Sequence, residues 1–160
     1  MNLSDELNKV IKQYAVGNKL SAYKKFKKIY LQNNKNINMR YNLAVMQQEL
    51  GFLDEAEENY KSLIKNNSDL KSKTNLYILY FSKELFDEAL IIIKDLEKEN
   101  SKLTKINQDK AYALFRLKNY EAAINECKRV LDKDNKNIKT LNTLGLSYLS
   151  IKKYNEANNI

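Results

Sequence analysis

This sequence predicts an all-α protein, a solenoid of stacked helix–turn–helix units, and three observations carry that prediction. Apolar residues recur at helical spacing along most of the chain; Leu141, Leu144, Gly145 and Tyr148, for instance, share one helix face. Helix breakers are scarce, with no proline and only three glycines among 160 residues. A unit also repeats: Ala22, Ala56, Ala89, Ala123 and Ala157 stand 34, 33, 34 and 34 residues apart. That period accommodates two helices and their turns.

Taken in order, the first unit (3–36) places Leu7, Val10, Ile11 and Tyr14 on its first helix and Ala22, Phe26 and Ile29 on its second. Its first stripe matches the later units only after a shift of one residue, which predicts a turn shortened by one residue near Lys19–Ser21. Asn33–Asn36 forms the connection, where asparagine tolerates a left-handed backbone. The second unit (37–69) has Leu43, Ala44 and Met46, then Ala56, Tyr60, Leu63 and Ile64. The third (70–103) has Leu76, Tyr77, Tyr80 and Phe81, then Ala89, Leu90, Ile93 and Leu96; Tyr77 stands where other units have Ala44, Ala111 or Gly145. The fourth (104–137) carries Ile106, Ala111 and Leu114, then Ala123, Ile124, Cys127 and Val130, with Lys110 in a leucine column. The fifth (138–160) stops within its second helix, giving about four and a half units. The expectation is a fragment, or a face covered by another chain. Gly17 and Gly51 fall in turns, and Gly145 is expected where two helices approach closely.

The period, the helix–turn–helix pattern and the motif Tyr41-Asn42-Leu43-Ala44, Gly51, Leu53-Asp54-Glu55-Ala56 together resemble the tetratricopeptide repeat. The resemblance covers the whole chain as one domain (1–160) and implies a right-handed superhelix whose first helices line a concave groove for a peptide. On that analogy the groove-facing residues are Asn42, Val45, Lys71, Asn75, Ile78, Lys105, Tyr112, Arg116 and Lys139. Lys71, Lys105 and Lys139 recur at 34-residue steps, a lysine ladder suited to an acidic and apolar peptide. The carboxylate clamp of the chaperone-binding members is not reproduced, since Asn75 stands where an arginine is required.

Catalysis is not expected. The chain has no histidine, one cysteine and no phosphate-cradling glycine loop, so no cofactor or metal is expected either. Cys127 lies on an apolar stripe and reads as core. The net charge of +8 is uneven: +6 over residues 1–36, −3 over 37–70, zero over 71–103, +3 over 104–137 and +2 over 138–160. The Lys19–Lys28 run alone holds five lysines. The acidic second unit interrupts any continuous basic track, so a protein or peptide partner is expected ahead of RNA, the ligand of the related pentatricopeptide type. Self-association through the fifth unit is the structural alternative. The N-terminal residues show no signal-peptide pattern and no stretch is long enough to span a membrane, so a cytoplasmic protein is expected.

Overall fold

In the computed structural model, which describes residues 2–67, 69–99 and 104–160, the chain forms ten helices and no strand among the described residues. They are α1 (Leu3–Ala15), α2 (Lys19–Gln32), α3 (Ile37–Glu49), α4 (Leu53–Asn67), α5 (Leu70–Ser82), α6 (Phe86–Glu99), α7 (Thr104–Arg116), α8 (Tyr120–Leu131), α9 (Ile138–Ser150) and α10 (Tyr154–Asn158). The predicted end of the third unit, Leu103, lies outside the described residues. No described helix is long and apolar enough to cross a membrane.

Why helices begin and end where they do is written in short polar motifs. Asn2, Asn36, Asp69 and Asn137 cap the starts of α1, α3, α5 and α9, each side chain accepting from the backbone N–H three residues on. Asn36 therefore serves the connection as a helix cap at φ −77°, and not through the left-handed conformation expected from the sequence. That conformation appears at the other end of each first helix, at Gly17, Gly51, Glu84, Lys118 and Lys152. At each site the left-handed residue's N–H bonds the carbonyl three residues back, and the next N–H bonds five residues back. Gly17 N to Tyr14 O and Asn18 N to Gln13 O, both at 3.2 Å, are one such pair. This double closure satisfies carbonyls that a helix end leaves open.

The left-handed positions also fix the register. Each lies seven residues after the small-residue column (Val10, Ala44, Tyr77, Ala111, Gly145) and five before the repeating alanine. The first turn is thus as long as the others, and the expected shortening near Lys19–Ser21 does not occur. Val10, buried, simply occupies the column that alanine or glycine fills elsewhere. Tyr77 occupies it too, as a buried ring. Gly145 meets no crowded neighbour: an added Cβ would lie 3.8 Å from the Ile160 Cδ1 atom, an ordinary contact. The expected close helix approach at Gly145 is absent.

The chain divides into two compact units, Met1–Leu79 and Tyr80–Ile160, with α5 running through the division. In the first, α1 to α4 pack consecutively. Phe26 and Ile29 of α2 bury with Val10, Met39, Leu43 and Met46, and the stripe continues through Tyr60 and Leu63 of α4. Fully buried side chains of this size contribute roughly 1.5–3 kcal/mol each. At the surface, Tyr14 donates to Glu49 at 2.9 Å and Lys19 pairs with the same carboxylate at 3.0 Å, linking α1, α2 and α3. The bonds from Lys19 and Tyr14 hold the Glu49 carboxyl below its usual range.

In the second unit α6 to α10 pack in sequence, and α7 also lies against α9. Ala111, Ile124, Cys127, Leu144 and Tyr148 form its core cluster, closed by Leu131, Ile151 and Ala157. Small alanines at 111, 113 and 123, all without exposed surface, let these helices approach closely.

Candidate functional site

Because α7 and α9 are first helices of adjacent repeats and touch, they leave a groove on their shared face. Its volume is about 380 Å³, and Phe81, Tyr112 and Leu146 form its apolar part. Gln108 and Asn142 supply amides, Thr143 a hydroxyl, and Asp109 and Lys139 bring opposite charges to its rim. Tyr112 is 37% exposed and Leu146 49%, so both offer apolar surface to a ligand.

The aromatic wall is braced from behind. Tyr112 packs 6.4 Å from the Phe81 ring and 6.1 Å edge-on to Phe86, and Phe115 lies 6.4 Å from Tyr112. Arg116 closes one end of the cluster. Its guanidinium sits 4.7 Å from the Phe86 centroid, donates to the Tyr112 hydroxyl at 2.9 Å and pairs with Glu84 at 3.0 Å. Rings locked by neighbours lose little rotamer freedom on binding, which lowers the entropic cost of recognition.

Of the residues expected to face a groove, the second unit brings Tyr112 and Lys139 together and sets Arg116 beside Tyr112. Lys105 is exposed in the first turn of α7. In the first unit Asn42 is exposed on α3, Val45 and Ile78 are half-buried, and Lys71 is exposed at the start of α5. Asn75 is half-buried and its amide donates to the Tyr41 hydroxyl at 3.1 Å and the Tyr60 hydroxyl at 3.2 Å. Burial pushes the pKa of Tyr60 up, so that hydroxyl stays neutral and donates onward to Gln48 at 2.9 Å. Gln108 and Asn142 were not singled out by the sequence. They stand 34 residues apart, so the repeat period itself was the signal that would have found them.

Among the described residues no group of three or more His, Cys, Asp or Glu side chains is placed to hold a metal ion. Cys127 is fully buried, and burial pushes its thiol up to about 12, far from the thiolate that reactivity requires.

No family model and no curated protein sequence matches this chain. Solved structures do. A tetratricopeptide repeat protein from Parabacteroides merdae ATCC 43184 superimposes with a TM-score of 0.85 at 19% identity, over 98% of this chain and 62% of that one. This chain therefore spans less than two thirds of that protein's length. MamA AMB-1 gives 0.81 at 17% identity over 98% of this chain and 90% of its own. MamA from Desulfovibrio magneticus RS-1 gives 0.83 at 14% over 95% and 86%. Joined to the recurring helix pairs, caps and left-handed turns, these likenesses show that the chain has the tetratricopeptide-repeat fold.

Proposed function

We propose that this chain is a non-catalytic interaction scaffold that holds a peptide or partner segment along its first helices. The observation that carries the reading is the α7–α9 groove: braced apolar surface at Phe81, Tyr112 and Leu146, with amides and opposite charges around it. A volume of this size takes one large apolar side chain, and burying such a group contributes roughly 1.5–3 kcal/mol. Gln108 and Asn142 suit the backbone of an extended segment, and Lys139 favours an acidic residue beside the apolar anchor. Lys105, exposed in the first turn of α7, extends the preference for acidic ligands; an exposed pair of this kind contributes about 0–1 kcal/mol. The reading includes a cytoplasmic setting.

The test is a peptide-display selection on the wild-type chain, followed by affinities for Tyr112→Ala and Lys139→Glu. The expected outcome is enrichment of an apolar anchor flanked by an acidic residue, with affinity falling about tenfold or more in Tyr112→Ala. Enriched peptides that bind both variants as well as wild type would remove the groove from the account.

Self-association is a second reading, favoured by apolar side chains exposed on and after α9. Ile138 is 72% exposed and Tyr154 58%, with Leu149 and Ile160 nearly half exposed. A mass that stays monomeric as concentration rises eliminates it.

A further inference from the structure

We infer that the groove between α1 and α2, remote in sequence from the one above, is a second interaction surface that takes an acidic helical segment of a partner protein. It measures about 420 Å³ and lies within the first unit. Lys9 rises from its α1 wall, Lys25 and Lys28 from its α2 wall, and Glu6 is the one carboxylate lining it. Val10 and Ile29 lie at its base, with the lysine stems adding apolar surface. A shallower depression on α1 continues from it, sharing Lys9 and Gln13 and adding Lys12 and Asp5.

Cations outnumber anions two to one on this face. Two other lysines of the first unit do have partners: Lys19 pairs with Glu49 at 3.0 Å, and Lys27 lies 5.8 Å from the Tyr23 ring centre. Lys9, Lys12 and Lys28 have no ion pair among the described residues, and Lys25 meets only the neutral Gln13 amide at 3.1 Å. Across the groove and its continuation four ammonium groups thus face two carboxylates, Glu6 and Asp5. Confining like charges together is unfavourable, and an anionic partner relieves it.

Spacing and side-chain type choose among anions. The lining stretches, Glu6 to Gln13 and Lys25 to Gln32, each cover two helical turns, about 10 Å. Lys9 with Lys12, and Lys25 with Lys28, are three residues apart, one turn of their helices. Carboxylates one turn apart on a partner helix meet that spacing, while its apolar residues face Val10, Ile29 and the lysine stems. Single-stranded nucleic acid is recognised by exposed rings and arginine forks. Residues 1–36 contain no arginine, and Tyr23, Phe26 and Tyr30 are buried.

The probe is a fluorescein-labelled helical peptide of Glu, Ala and Leu with glutamates one turn apart, titrated into the full chain by fluorescence anisotropy. Saturable binding is expected, weakening with salt. Lys9→Glu/Lys28→Glu should raise the dissociation constant about tenfold or more, Lys9→Gln/Lys28→Gln by less, while Lys133→Glu/Lys136→Glu, an equal charge change in the second unit, leaves it unaltered. Thermal melts confirm that each variant is folded; the glutamine pair decides the matter if the glutamate pair is not. Absence of saturable binding, or equal losses in the two glutamate variants, overturns the inference. Tighter binding of an oligouridylate through the same lysines also overturns it, by assigning the face to RNA.

Discussion

Lys118 and Lys152 hold the left-handed backbone that ends α7 and α9, at φ 61° and 60°, where glycine does the same work after α1 and α3. A side chain there carries a steric cost of roughly 1–2 kcal/mol, partly offset by the freedom glycine has in the unfolded chain. Lys118→Gly is accordingly expected to stabilise the fold by about 0.5–1 kcal/mol, read as a higher urea midpoint. Gly145 is the reverse case, a helix-interior glycine with room around it, so Gly145→Ala should add up to about 1 kcal/mol in the same measurement. A loss of stability in either variant would contradict the local geometry. The sequence made Gly17 and Gly51 legible as turn residues, because glycine advertises a left-handed position. It hid Glu84, Lys118 and Lys152, whose side chains carry no such signal, and it misassigned Gly145 by analogy with the alanine column. Asn36 marks an ambiguity that sequence leaves open: asparagine suits both a left-handed backbone and a helix cap, and only the backbone angle separates the two.

Packing faces were legible at the level of the element, since apolar periodicity depends on local sequence alone. The partners of a charged residue on a packed face were not. Lys110, an oddity in a leucine column, pairs with Glu97 of α6 and Glu126 of α8, both at 3.0 Å. Its side chain is 16% exposed and those of the carboxylates 26% and 13%, so the triad fastens three helices in a poorly solvated place. Glu97 and Glu126 lie 13 and 16 residues away along the chain, a separation no periodicity reveals. Lys110→Leu restores the expected apolar residue but takes the cation from Glu97 and leaves Glu126 with Arg129 alone, 3.0 Å away. It is expected to cost about 1–3 kcal/mol in urea unfolding, less than a fully buried pair because of residual exposure. Adding Glu97→Gln, which removes the carboxylate left without its cation, should recover most of that loss. An unaltered Lys110→Leu midpoint would show that the triad contributes nothing.

For the whole molecule, the all-α repeat fold followed from composition and period, and the likeness to solved tetratricopeptide repeat structures agrees with it. The candidate site was legible only in part. Tyr112 and Lys139 come together because their columns sit on neighbouring first helices, whereas the division into two compact units, which separates Lys71 from Lys105 and Lys139, depends on tertiary packing. Asn75 shows a related limit: its column position pointed to a ligand, but tyrosines 41 and 60 take up its amide.

The central claim is that a partner segment lies against α7 and α9, and hydrogen exchange of the chain with and without a display-selected peptide tests it most directly. The account predicts added protection within Thr104–Arg116 and Ile138–Ser150, lost with Tyr112→Ala. Protection confined to α8 and α10, with none on α7 or α9, would contradict it.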